Sequence, residues 1–157
     1  MATYNDACSL LDADHRAVKK LFKEFEALAE SKAKSAAAKR RQLADQICQE
    51  LTVHAQIEEE IFYPALRAVI QADDLLDEAE VEHASAKDLI AQVKSGDDGD
   101  PKWCAKVQVL GEYIDHHVKE ERGEIFPKAR AAKKLDLVAM KAQLKARKEE
   151  LMEGLAA

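Results

Sequence analysis

Two segments of the chain carry the same pattern: a His, a Glu four residues later, and a Pro six residues after the Glu. The copies read HAQIEEEIFYP at 54–64 and HVKEERGEIFP at 117–127. Because residues four apart lie one turn apart on the same face of an α-helix, each copy sets an imidazole next to a carboxylate. The chain must therefore fold so that two such helix faces provide partners for these groups.

The spacing of the apolar residues predicts an all-α protein. Five segments have helical periodicity, and no segment alternates with the period of two that a strand requires. Only 5 Gly and 3 Pro occur in 157 residues, which also favours helix. Asn5 or Asp6 is predicted to cap the first helix, and Pro64 to kink the second or end a turn in it. The predicted helices, segments A to E, cover about residues 5–31, 37–70, 73–94, 101–131 and 135–155.

Each of the first four segments has an apolar stripe, stepping three and four residues, that contains one His. Such stripes face the centre of an antiparallel bundle. We therefore predict an up-down-up-down four-helix bundle at 1–131, followed at 132–157 by an amphipathic helix that packs on the bundle or forms a dimer contact. The stripes are Cys8, Leu11, His15, Val18, Phe22, Phe25 in A; Leu43, Ile47, Leu51, His54, Glu58, Ile61 in B; Leu76, Ala79, His83, Ala86, Ile90, Val93 in C; and Trp103, Val107, Leu110, Ile114, His117, Glu121 in D.

Six ionisable groups on these stripes form the candidate metal site. An unpaired carboxylate in an apolar interior costs several kcal/mol, and a whole domain is stable by only about 5–15 kcal/mol. A pair of divalent or trivalent metal ions would neutralise the carboxylates and occupy the imidazole lone pairs. Imidazole nitrogen and carboxylate oxygen donors suit iron, manganese or zinc. Structural zinc sites usually contain Cys thiolates, so the lack of thiolates here argues against a zinc ion with a purely structural role. The predicted ligands are His15, His54, Glu58, His83, His117 and Glu121.

The neighbouring His116 repeats the spacing with Glu120 but falls on a flanking line of the helix. It is therefore predicted to lie beside the ligands or at the surface. Glu59 and Glu60 also fall off the stripe, and we expect them and Glu120 to be solvated.

Charge and cysteine content restrict the partners and the compartment. The formal net charge of −6 argues against nucleic acid or an anionic membrane surface as the main partner. No apolar run approaches the roughly 18 residues of a membrane span, and the first residues do not resemble a signal peptide. Cys8, Cys48 and Cys104 form no CxxC motif. We therefore expect reduced thiols in a cytoplasmic protein.

Four motifs together resemble the hemerythrin family in its bacterial-type HHE cation-binding branch. They are DHRAVKKLF at 14–22, EHASAKDLI at 82–90 and the two Pro-ended repeats, and the resemblance spans about residues 5–131. It implies a non-haem di-iron centre in which Glu58 and Glu121 bridge the ions together with an oxo or hydroxo group. By the same resemblance, His15 and His54 cap one iron, and His83 and His117 cap the other.

One departure from the family pattern concerns the third helix. Oxygen-carrying hemerythrins place two His one turn apart there, whereas Ala79 and Lys87 stand four residues before and after His83. The resulting vacancies would take water, oxygen, nitric oxide, peroxide or a further carboxylate, of which Glu80 is the nearest in sequence. We expect a di-iron protein that binds or senses such a small ligand or iron itself. The alternatives are a di-iron enzyme that consumes peroxide or oxidises ferrous iron, and a helical scaffold whose His are structural.

Overall fold

The predicted bundle helices are all present, and two of them continue through a π-helical turn. The computed structural model describes residues 5–156, and no strand occurs among them. The chain forms the up-down-up-down bundle with an additional C-terminal helix. Its helices are α1 (Ala7–Leu28), α2 (Lys34–Ile57), α3 (Tyr63–Val69), α4 (Asp73–Ser95), α5 (Trp103–Glu120), α6 (Phe126–Ala131) and α7 (Leu137–Ala156).

The helix ends follow local hydrogen bonding. Helix α1 begins after Asp6, whose side chain accepts from Ser9 N at 3.0 Å, so Asp6 rather than Asn5 is the cap. Helix α5 begins later than predicted. Pro101 lies in the preceding turn, where the backbone N–H of Trp103 donates to the carbonyl of Asp100 at 3.0 Å.

Two apolar clusters lie on either side of the four stripe His. On α1 the chain passes from Leu11 of one cluster, through His15, to Val18 of the other. On α2 the order reverses, from Leu51 through His54 to Ile57. Helices α4 and α5 repeat this alternation, so the helices are antiparallel. The four His therefore share one layer between two apolar ends of the bundle.

A π-helical turn begins at the Glu of each sequence repeat. The turns cover Glu58–Phe62 and Glu121–Ile125, and the N–H of Tyr63 and Phe126 donates to the carbonyl five residues earlier. The Pro that follows each turn has no N–H to give to the carbonyl four residues before it, which favours the wider turn. Ile61, the last residue of the predicted stripe, packs partly buried against the apolar cluster, and Phe62 and Tyr63 are fully buried beside it.

The C-terminal helix packs on the bundle against α1, α2 and the first π turn. Leu137, Met140 and Leu144 join the apolar cluster that contains Leu11. Leu144 has no exposed surface, so α7 completes the core at that end. Within the described part of the chain, no helix combines the length and the apolar character that crossing a bilayer demands.

Candidate metal centre

The structure brings all six predicted ligands together in the layer between the apolar clusters. Each of the four His residues is at most 7% exposed, and the two Glu residues are 0% exposed. Buried ionisable groups of this kind persist only with partners. The six residues are His15, His54, Glu58, His83, His117 and Glu121.

The imidazoles form two pairs whose Nε2 atoms face each other. Nε2 of His15 stands 3.1 Å from Nε2 of His54, and the same distance separates the Nε2 atoms of His83 and His117. We call the pair of His15 and His54 the first half of the centre, and the pair of His83 and His117 the second half.

Each carboxylate touches one imidazole from each half. Glu58 Oε1 lies 3.1 Å from Nε2 of His54 and 3.3 Å from Nε2 of His83. Glu121 Oε1 lies 3.3 Å from Nε2 of His15 and 3.0 Å from Nε2 of His117. The two carboxylates therefore lie between the halves, as bridging ligands must.

In the first half, the outer nitrogen of each imidazole faces a carboxylate from α1. His54 Nδ1 donates to Asp14 Oδ2 at 3.1 Å, and Lys148 of α7 donates to the other oxygen of Asp14 at 2.6 Å. His15 Nδ1 stands 3.5 Å from Asp12 Oδ1. A carboxylate on the outer nitrogen directs the lone pair of Nε2 towards the centre, which is how metal-binding His are commonly held.

The second half repeats the arrangement with carboxylates from other helices. His83 Nδ1 lies 3.3 Å from Glu59 Oε2, and Lys87 holds the other oxygen of Glu59 at 2.7 Å. His117 Nδ1 donates to Glu82 Oε1 at 2.9 Å. The expectation that Glu59 is merely solvated is therefore wrong. Asp14 and Glu82 were not predicted, because a carboxylate that meets a His of another helix leaves no repeated spacing. Asp12, which lies three residues before His15 on the same helix, was not predicted either.

Other off-stripe residues lie away from the centre. The side chain of His116 is 66% exposed and lies 3.1 Å from Glu120, as expected for a surface position. Glu60 is exposed, as expected, and pairs with Arg147 of α7 at 2.8 Å. Glu80 pairs with Arg67 and is half exposed, so it does not supply the further carboxylate suggested by the sequence.

The oxygens of the two central carboxylates are poorly satisfied by the surrounding side chains. Glu58 and Glu121 are wholly buried, and no donor among the described residues is aligned to hydrogen-bond any of their four oxygens. Neutral imidazoles would supply no donor to these oxygens, because each ring would carry its one hydrogen on the outer Nδ1, which faces another carboxylate. Buried charges without donors are strongly unfavourable. Cations at the centre would satisfy the oxygens and the Nε2 lone pairs at once, so the donors fit a metal pair.

The electrostatics of the site favour positive charge. Burial lowers the pKa of His54, but the charge of Glu58 and the hydrogen bond to Asp14 outweigh it and raise this pKa to about 10. Burial likewise opposes the charge on Glu58, yet the adjacent His54 holds the pKa of this carboxyl well below its usual range. Burial also opposes the charge on His117, but contacts led by Glu121 raise its pKa to about 12. Without a metal these imidazoles therefore take up protons that balance the buried carboxylates, and metal cations would replace those protons.

The residue before Pro differs between the two repeats and was not predicted as part of the site. Tyr63 is wholly buried, and its Oη lies 3.4 Å from Nε2 of His83 and 3.3 Å from Nε2 of His117. The equivalent Phe126 stacks on His15, with ring centroids 6.0 Å apart. The aligned sequences EEEIFYP and ERGEIFP contain this difference, but only the π turn directs the residue inward.

A cavity of about 30 Å³ lies beside the four imidazoles. A single water molecule needs about 10–15 Å³ of such space, so the cavity has room for about two non-hydrogen atoms. Its walls away from the imidazoles are mainly aliphatic, and Lys87 and Asp14 border it. The aliphatic wall residues are Val18, Leu51, Ala55, Ala86, Ile90, Ile114 and Val118.

The chain is similar to known proteins in sequence and in fold. The family model of the hemerythrin HHE cation-binding domain matches residues 6–129. A crystal structure of a hemerythrin HHE cation-binding domain-containing protein from Mycobacterium kansasii is similar, with a TM-score of 0.76 at 22% identity over 96% of this chain and 90% of that one. A DNA nickase from Nostoc sp. is 32% identical over 81 residues, which is 52% of this chain and 23% of that protein. This chain thus spans about a quarter of the length of that relative.

Proposed function

This chain belongs to the hemerythrin HHE cation-binding family, and we propose that it is a di-iron protein that binds or senses a small molecule such as oxygen, nitric oxide or peroxide. The observation that carries the proposal is the wholly buried pair Glu58 and Glu121, whose oxygens have no aligned donor and face four inward imidazoles. We further propose that the protein works in the cytoplasm.

The donor set supports iron held in two linked positions. Imidazole nitrogen and carboxylate oxygen suit iron, manganese and zinc, and the family resemblance favours iron. In this proposal His15 and His54 hold one ion, His83 and His117 hold the other, and the two Glu bridge them. When bound, an iron pair supplies open positions at which a small ligand can be bound or reduced.

The size and lining of the cavity support a ligand of about two non-hydrogen atoms. Its volume of about 30 Å³ is far below the roughly 300 Å³ or more of pockets that take organic substrates. The aliphatic side chains of Leu51, Ile90 and Val118 line it, which favours uncharged or singly charged small molecules. Dioxygen, nitric oxide and peroxide all fit this description.

An enzyme that consumes peroxide is the second candidate. The second half of the centre has fewer close donors than the first, since only Glu58, His83 and His117 group there within 4.8 Å, whereas four donors group in the first half. Open coordination favours chemistry at a metal. Disproportionation of two hydrogen peroxide molecules to two waters and one dioxygen requires no outside reductant, so it needs no further redox partner.

Metal analysis combined with ligand titration tests the proposal. Protein purified aerobically without chelator is expected to contain about two irons per chain and to show charge-transfer absorption of an oxo-bridged ferric pair. Added azide should change that spectrum if a coordination position is open. Protein without iron, or a loaded spectrum that ignores azide, nitric oxide and peroxide alike, would contradict small-ligand binding. Steady release of dioxygen from peroxide would favour the enzyme instead of the binder.

A further inference from the structure

We propose that the phenol oxygen of Tyr63 is a ligand of the iron in the second half of the centre. The inference rests on the proposed function and assigns a donor that the six residues predicted from sequence do not include. It begins from the internal duplication, in which Tyr63 and Phe126 occupy the same place in the two repeats. A single oxygen atom thus distinguishes the two halves at this position.

The oxygen lies where a ligand of the second iron would lie. Nε2 of His83, Nε2 of His117 and Oη of Tyr63 form a triangle with edges of 3.1, 3.3 and 3.4 Å. Atoms bound about 2.0–2.2 Å from one metal ion stand roughly 2.9–3.5 Å apart at octahedral or tetrahedral angles. The triangle therefore has the dimensions of one face of a coordination shell.

Hydrogen bonding among neutral side chains does not account for this triangle. When both imidazoles are neutral, as metal ligands must be, their Nδ1 atoms donate to the facing carboxylates and their Nε2 atoms present lone pairs. A phenol has one O–H and can donate to only one of two such acceptors. The remaining lone pairs would face each other in a buried site, which is unfavourable unless a cation lies among them.

The first half shows why the second needs another donor. Four groups lie within 4.8 Å of one another in the first half, namely His15, His54, Glu58 and Glu121, but only three do so in the second. Phe126 presents a ring face to His15 and has no polar atom to contribute. Tyr63 raises the second half to four donors, which makes the halves equal in number but different in chemistry.

Coordination by Tyr63 requires no electron transfer. The O–H bond breaks heterolytically, the oxygen forms a bond to the ferric ion, and the proton leaves to bulk water. The phenolate removes one unit of positive charge from the second iron and distinguishes it electronically from the first. The chemical signature is a visible charge-transfer band from phenolate to ferric iron.

The test compares the ferric protein with two single-atom variants. Y63F places at position 63 the residue that the other repeat has at position 126. Y113F removes the hydroxyl of the half-exposed Tyr113 and is the matched control. The parent and Y113F are expected to show a visible absorption band, and excitation in that band should give phenolate vibrations in the resonance Raman spectrum. In Y63F the band is lost, while the helical circular dichroism is retained and the second iron is held at least about ten-fold more weakly.

Three results would overturn the assignment, and they separate it from the proposed function. A parent protein with about two irons but no phenolate vibrations would rule out Tyr63 as a ligand and leave the di-iron proposal standing. Retention of the band in Y63F would do the same. A parent protein without iron would overturn both. If Y63F fails to fold, isotopic labelling of tyrosine in the parent, with and without the expected shift of the Raman bands, decides whether a phenolate is bound.

Discussion

The two halves of the metal centre are built from the same motif but are supported differently. In the first half, Asp14 holds His54 and is itself held by Lys148, and the Asp14 side chain is only 9% exposed. In the second, Glu59 holds His83 and is held by Lys87, with side chains 31% and 52% exposed. A buried support fixes its imidazole more firmly than an exposed one, where water competes for the same atoms. The second half is therefore the side better able to adjust to an incoming ligand.

The helices that provide these supports differ as well. Lys148 belongs to α7, which lies beyond residues 6–129 matched by the family model. Lys87 belongs to α4, one turn after the His that it supports. The C-terminal helix is thus joined to the first half by an ion pair in addition to its apolar packing.

The largest loss of iron is expected when a carboxylate that contacts both halves is removed. Glu58→Ala deletes the carboxylate that touches His54 and His83, so both irons should be lost. Iron per chain, measured by plasma mass spectrometry, should fall from about two to near zero. Glu60→Ala, a neighbouring carboxylate on the same π turn, is the control and should retain both irons. Full iron content in the Glu58 variant would contradict a bridging role.

A smaller effect is expected when only the second half is damaged. His117→Ala should release the second iron and leave a mononuclear first half, because Nε2 of His117 is one of its few donors. Iron content should fall to about one per chain, and the spectrum of the coupled pair should disappear. His116→Ala changes the adjacent but 66% exposed imidazole and should leave both irons in place. Equal losses in the two variants would contradict the helical phase from which the ligands were predicted.

The support of the first half can be weakened without touching a ligand. Lys148→Met leaves Asp14 buried without its cation, so His54 is held less firmly. Loss of such outer partners typically lowers metal affinity roughly 10- to 100-fold. Competition with a chelator measures the change, and Lys145→Met, which alters an exposed position on the same helix, is the control. An unchanged affinity would mean that α7 contributes only packing.

The smallest effect should come from the matching change in the second half. Lys87→Met removes an exposed partner of Glu59, and exposed ion pairs contribute only about 0–1 kcal/mol. The chelator titration should therefore shift by about five-fold or less. If Lys87→Met lowered metal affinity more than Lys148→Met does, the second half would be the one that depends more on its supporting ion pair, contrary to this account.

The sequence predicts the parts of this structure that follow helical periodicity. All six stripe residues of segment C are buried, and the intact period between Leu76 and Val93 explains this success. The His of the four stripes meet because each stripe faces the bundle axis. The ligand prediction needed only this periodicity and a repeated spacing, and the six residues do lie together.

The features that were missed depend on contacts between helices or on an interrupted period. The π turn that begins at Glu58 shifts the helical phase by one residue, so Tyr63 turns inward and Ile61 is only partly buried. The Pro six residues after each Glu was a readable sign of that turn. Asp14 and Glu82 reach His on other helices, and nothing in their local sequence shows which imidazole they will meet.

The central claim is that cations hold the buried imidazoles and carboxylates together. Anomalous diffraction from crystals of protein never exposed to chelator or acid tests it directly, with a fluorescence scan to identify the metal. We expect two anomalous peaks, one beside Nε2 of His15 and His54 and one beside Nε2 of His83 and His117. A well-ordered crystal with no such peak, in which these groups bond to one another or to water, would contradict the account.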